Sequence, residues 1–137
     1  MTFCVEKRKP VLATDRAWAI CRSTFDKLNH WTILAAVAMP DHIHLLATPM
    51  DREASVAEFA KWFKRWFNSA YCKGEVKASQ SEQLAWQWQE GAFDRLLRSH
   101  ESLTGKWEYI RQNPVRAGLV ADPDDWPYQL QFDASRG

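Results

Sequence analysis

Glycine and proline are sparse in this 137-residue chain, five and six respectively, which excludes collagen-like, low-complexity and disordered classes. Cysteine is scarcer still. Cys4, Cys21 and Cys72 are widely spaced, odd in number and without CxxC spacing, so neither a disulfide framework nor a cysteine zinc site is expected, and a reducing cytoplasm fits. No apolar run approaches the roughly 20 residues that span a bilayer, so no membrane association is expected. The first ten residues carry charge where a secretory leader needs an apolar core. An excess of one charge is missing too: 18 Lys plus Arg face 17 Asp plus Glu, a net charge of +1, with no polycationic or acidic tail. Tryptophan is what abounds. Eight Trp sit in a composition that is 46% hydrophobic, and the length suits one domain over residues 1–137.

The order of elements is the next signal. Residues 2–5 read as a first strand, and Thr14 is placed to cap a helix over about 15–29, with Ala17, Ile20, Cys21 and Leu28 at helical spacing. Trp31 to Met39 and Ile43 to Thr48 are short apolar runs either side of the turn-forming Pro40-Asp41, a hairpin pattern. From Ser55 the period changes to 3.6: Val56, Phe59, Ala60, Phe63, Phe67 and Ala70 form one stripe, and Lys61, Lys64, Arg65 and Asn68 another. Ala92 to Arg98 suggests a final strand. Ser99 to Gln112 suggests a helix interrupted at Gly105 and stopped near Asn113, since the residue before a proline is pushed out of the helical region. Pro114 then opens a short turn that Gly118 closes. This is the order of an α+β, ferredoxin-like antiparallel sheet with helices on one face and an added C-terminal helix.

Four groups of residues could carry chemistry. His42 and His44 stand at i and i+2 at the start of a strand, so both imidazoles share a face and can meet one cation, while Ile43 and Leu45 enter the core. Alone, such a pair is more often two half-exposed strand histidines without a ligand. Tyr109 lies four residues before Asn113, which puts a phenol and an amide on one helical face. A tyrosine beside a metal suggests phosphoryl transfer through a phosphotyrosine, although a lone helical tyrosine more commonly packs its helix. Third, residues 61–77 hold Lys61, Lys64, Arg65, Lys73 and Lys77 against one acid, Glu75, with Trp62 and Trp66 a turn apart. This combination suits phosphate contacts and base stacking, or is simply a solvated helix face. Finally, the Trp86-to-Asp94 segment is dense in aromatics and amides. With Trp86 and Trp88 it could grip an unstacked base or close one end of the core. Trp126-Pro127 reads as an anchor for the tail.

Charge is unevenly spread. Residues 61–116 carry ten basic and six acidic side chains, and residues 117–137 carry one and four. The basic middle includes Arg95, Arg98, Arg111 and Arg116, which join the helix as candidate nucleic-acid contacts.

Four separated blocks are familiar in sequence and order: AVAMPDHIHLL at 36–46, WQEGAFDRLLR at 88–98, YIRQNPVRAGLV at 109–120 and DDWP at 124–127. Over roughly residues 31–128 the chain resembles the single-tyrosine transposases, most nearly the REP-associated tyrosine transposases related to IS200/IS605 insertion sequences. That resemblance implies a metal-dependent single-stranded DNA endonuclease and strand transferase acting on hairpin DNA. In it His42, His44 and Asn113 match the metal ligands, for Mg²⁺ or Mn²⁺, and Tyr109, on the C-terminal helix, matches the nucleophile. It also implies no nucleotide cofactor, a cytoplasmic and nucleoid-associated place in a bacterium, and more residues before the Val5–Arg8 segment than this chain has. A monomer is expected, a dimer being the alternative. A DNA-hairpin-binding module that has lost turnover would keep the same four blocks.

Overall fold

Side-chain alternation organises the sheet in this computed structural model, which describes residues 1–73, 86–92 and 102–131. Strands β1 (Thr2–Cys4), β2 (Trp31–Ala38), β3 (His42–Pro49) and β4 (Gln129–Leu130) pair antiparallel in the order β1-β3-β2-β4. Strand β3 is central, with Phe3 of β1 opposite Ile43 and Ala38 of β2 on its other side. Odd positions of β3, Ile43 and Leu45, are buried in one layer; the even position Leu46 packs in a second layer on the other face. A bulge where the β2 register shifts between Ile33 and Ala35 puts Leu34 and Ala35 together in that second layer.

The first layer is aromatic. Helices α1 (Asp15–Phe25) and α2 (Val56–Lys73) cover this face through Trp18, Cys21, Phe25, Phe59, Phe63 and Phe67. Thr14 caps α1 by accepting from the Ala17 N–H at 3.1 Å, and Ser55 accepts from the Glu58 N–H in the same way. Helix α1 ends earlier than its apolar period suggests. Lys27 and Leu28 bond back three residues, to the Thr24 and Phe25 carbonyls, so the last turn tightens and closes while Leu28 stays buried.

The second layer is built by the C-terminal part of the chain. Helix α3 (Leu103–Arg111) is capped by Ser102, which accepts from the Gly105 N–H, so Gly105 lies inside the first turn and does not interrupt the helix. Residues 99–101 of the expected helix lie outside the described residues. A break at Gln112 leads into α4 (Asn113–Arg116), with Pro114 at its start; Gly118, at φ 76°, reverses the chain while its N–H bonds Val115. Trp107 and Ile110 of α3 pack with Val37, Met39, Leu46 and Trp126. Trp126 anchors the tail as its sequence context suggested, donating from Nε1 to the Ala38 carbonyl at 3.0 Å.

The edge of the sheet beyond β1 is completed by part of the Trp86-to-Asp94 segment, for which the sequence suggested no strand before Ala92. Gln89 N–H bonds the Cys4 carbonyl at 2.8 Å and Glu6 N–H bonds the Gln87 carbonyl at 2.7 Å, around an antiparallel bridge between Val5 and Trp88. Residues 87–89 therefore occupy the outer position beside β1. The strand expected over 92–98 lies, beyond Ala92, outside the described residues.

Phe63 is the centre of the aromatic layer, with ring centroids 5.0–6.2 Å from Phe3, Phe25, Phe59, Phe67 and Trp88. Phe63→Ala is expected to cost about 3–5 kcal/mol, since so many fixed neighbours cannot close the cavity. Urea unfolding of the two proteins measures it.

Candidate functional site

Because Ile43 and Leu45 fill the first layer, His42 and His44 point to the opposite face, the one on which α3 lies. Their rings meet edge to face with centroids 4.7 Å apart. Each ring is held at Nδ1. His42 Nδ1 lies 2.6 Å from Asp41 Oδ1, and His44 Nδ1 lies 2.9 Å from Thr2 Oγ1, its neighbour across the β1–β3 pair. Holding both Nδ1 atoms leaves Nε2 of each ring as the atom available to a ligand, the usual arrangement behind a metal-binding imidazole. Burial, then the charges of His42, the N-terminus, Lys106 and Arg116, pull His44 down to about 3, so its ring is neutral throughout the physiological range.

Asp41 is held from its other side. Arg8 Nε donates to Asp41 Oδ2 at 2.7 Å, and Arg8 Nη2 sits 3.4 Å from His42 Nδ1. Burial alone would raise the Asp41 carboxyl, but the hydrogen bonds and charges of Arg8 and His42 outweigh it and hold the group below its ordinary range. Thr2, Arg8 and Asp41 were not singled out from the sequence. Asp41 directly precedes His42, which is a usable signal; Arg8 is 33 residues from Asp41, and nothing in its spacing reports their contact.

The tyrosine helix stands over the same face. Trp107 and Ile110 turn α3 inward, which leaves Tyr109 63% exposed on another side of the helix. Arg116 reaches back along this side: its guanidinium lies 4.3 Å from the Tyr109 ring centroid and donates to the Tyr109 carbonyl and to Asn113 Oδ1, at 2.8 and 2.6 Å. Lys106 Nζ is 5.6 Å from the same ring. Arg116 thus bridges Tyr109 of α3 and Asn113 at the start of α4, with two cations around the phenol.

The other expected contacts divide. Lys61 and Arg65 are exposed on α2, each about 5.3 Å from the ring of Trp62, which stacks on Trp66 at 6.0 Å. They lie on the face of the sheet opposite the histidine pair. Lys64 is turned inward instead, donating to the Gln89 and Gly91 carbonyls, and burial lowers its pKa. Trp86 is 4% exposed and packs edge-on to Phe67, Tyr71 and Trp88, so it closes the core and offers no face to a base. Trp88 is partly buried against Phe63 and Phe67, with Nε1 bonded to Asn68. Arg111 pairs with Glu108 and Asp124. Arg95 and Arg98 lie outside the described residues. Hydrophobic packing explains the reassignments: the amides and indoles at 86–89 edge the aromatic layer, and Lys64 ties them to α2.

Among the described residues no three His, Cys, Asp or Glu side chains converge on one point. The remaining ligand candidate from the sequence, after the two imidazoles, is Asn113. Its amide oxygen has two lone pairs, of which Arg116 uses one. Such a nitrogen-rich set suits Mn²⁺ or another first-row ion at least as well as Mg²⁺. Among the described residues no helix is long and apolar enough to cross a membrane.

The site is thus an antiparallel α+β sheet with a strand-borne histidine pair beneath a tyrosine-bearing helix. The chain belongs to the IS200-like transposase family, whose model matches residues 1–113. It is 31% identical over 98 residues to a Haemophilus influenzae protein named as a REP-associated tyrosine transposase, an alignment covering 69% of this chain and 56% of that one. The chain thus matches little more than half the length of that curated relative. A solved structure of a REP-associated tyrosine transposase bound to a REP hairpin has the same fold: TM-score 0.74 at 24% identity, covering 93% of this chain and 72% of the other.

The half-buried, neutral His44 gives stability a pH dependence. Its folded pKa lies below the unfolded value near 6.5, so on acidification the unfolded chain takes up a proton that the folded one refuses, and stability falls. Between pH 6.5 and 5, His44→Gln is expected to flatten the decline in unfolding free energy by up to about 1.4 kcal/mol per pH unit. Urea titrations at several pH values compare the slopes.

Proposed function

We propose that this chain is a metal-dependent, single-stranded DNA endonuclease and strand transferase that acts on hairpin-forming DNA through Tyr109. The observation that carries this reading is the placement of α3 over the face of the sheet that presents His42 and His44, with Tyr109 exposed beside Arg116 and Lys106. The family membership and the REP hairpin bound by the structural neighbour support the substrate class.

In this reading His42, His44 and Asn113 hold a divalent cation, Mg²⁺ or Mn²⁺. Bound there, such an ion would supply positive charge at the scissile phosphate. The Tyr109 oxygen attacks phosphorus as the solvent-exposed phenol gives up its proton to water, which returns one to the leaving 3′ oxygen. A new O–P bond forms, the bond to the 3′ oxygen breaks, and the 3′-hydroxyl leaves with a proton while the 5′-phosphate stays esterified to Tyr109. A second 3′-hydroxyl then attacks that ester and releases the tyrosine. Each step exchanges one phosphoester for another, so no nucleotide cofactor is required. Arg116 and Lys106 supply positive charge at the phenol and its phosphate. Lys61, Arg65, Trp62 and Trp66, on the other face, contact a second part of the same DNA molecule.

Incubation with Mn²⁺ and an end-labelled single strand carrying a hairpin is expected to give a covalent protein–DNA adduct that resists denaturation. The adduct is expected to disappear in Tyr109→Phe and in His44→Ala while hairpin binding persists. Adduct formation by Tyr109→Phe overturns the nucleophile, and binding without any adduct in the unmodified protein marks a hairpin-binding module without turnover.

A further inference from the structure

We infer that Arg8 is a positioning residue that acts through Asp41 to hold His42 in the tautomer protonated at Nδ1, with the lone pair at Nε2. The inference deepens the proposed metal site and its use rests on that reading, but the geometry behind it stands in the protein alone.

The carboxylate of Asp41 is divided between two partners: Oδ2 accepts from Arg8 Nε at 2.7 Å and Oδ1 meets His42 Nδ1 at 2.6 Å. A carboxylate that close to a ring nitrogen requires a proton between them, so Nδ1 is the donor, and in the neutral ring the lone pair then sits on Nε2. Arg8 Nη2, at 3.4 Å from the same Nδ1, is then a flanking charge and not a competing hydrogen-bond donor. Among the described residues His44 has no equivalent. Its Nδ1 faces the Thr2 hydroxyl, which can give or take a proton and so serves either tautomer.

The backbone around Arg8 points the same way. Lys7 (φ 60°, ψ 16°) and Arg8 (φ 53°) both adopt the left-handed region, which side chains with a Cβ rarely enter, and two in succession need an enforcing framework. The framework is present: Arg8 N–H bonds the Val5 carbonyl at 3.0 Å, Val5 N–H bonds the Asp41 carbonyl at 2.9 Å, and Glu6 N–H bonds Gln87. The same turn therefore holds Asp41 twice, by its backbone through Val5 and by its side chain through Arg8. Without the guanidinium, the backbone bond would keep Asp41 in place while its carboxylate became free to rotate toward water.

Long-range ¹H–¹⁵N spectra of the metal-free protein read the tautomer directly. Wild type is expected to show His42 protonated at Nδ1. Arg8→Met keeps the aliphatic stem but removes the charge, and is expected to give a mixture with the Nε2-protonated form at an unchanged unfolding midpoint. Mn²⁺ affinity, followed by electron paramagnetic resonance, is expected to fall about tenfold, in the range for loss of a group behind a metal ligand. Arg8→Lys is expected to recover part of both signals. Asp41→Leu is expected to reproduce the tautomer change, and the double variant to add nothing to it. An unchanged His42 tautomer in Arg8→Met, or additive effects of the two substitutions, overturns the relay. Because the tautomer is read without metal or DNA, its failure is distinct from a failure of the cleavage assay.

Discussion

Strand β3 carries the constraint on which the rest depends: a two-residue period on a strand buried on both sides. Burying Ile43 and Leu45 against the phenylalanines of β1 and α2 leaves His42 and His44 no choice but the other face. A slip of one residue would put two imidazoles into an aromatic core and two aliphatic side chains at the site, so the hydrophobic effect that drives the sheet together also fixes the histidine register. The hairpin with β2 and the pairing with β1 add backbone hydrogen bonds on both edges, and the site inherits their rigidity.

The two layers divide the work. The aromatic layer, built from β1, α1, α2 and the 86–89 segment, buries most of the large rings and presents a cationic, tryptophan-bearing surface on α2. The second layer is smaller and is supplied late in the chain by Trp107, Ile110 and Trp126. Covering the histidine face with a short helix, and not with a continuous core, leaves Tyr109 in solvent and within reach of Arg116 and Lys106. The cationic stripe of α2 and the histidine–tyrosine face are thus on opposite sides of one sheet, a separation that a sum over a basic middle segment conceals.

Several readings followed from local chemistry and stand in the structure. Thr14 caps α1, Gly118 ends α4, Trp126 pins the tail, and the 3.6-residue stripe of Phe59, Phe63 and Phe67 faces the core. Elsewhere the structure gives side chains partners that local chemistry does not report. Trp86 sits in a loop-like sequence rich in amides, yet the edge of β1 was open and the aromatic layer incomplete, so the segment pairs with Cys4 and Glu6 and the indole is buried. Lys64 belongs by period to the polar stripe, but it borders the apolar one and finds two backbone carbonyls within reach. Arg111 looks like a free cation until Asp124 arrives from a later turn.

By itself the sequence determined which atoms are available and which of them share an element: the His42–His44 pair on one strand and an aromatic stripe to bury on one helix. Periodicity reports such relations because they are set by bond geometry within a few residues. What only the tertiary structure decided is what meets across long separations: Arg8 with Asp41, Lys64 with Gln89, Trp86 with Phe67, and α3 with the histidine face of β3. Those contacts are set by packing the layers against one another, and no local period encodes which distant partner fills the space.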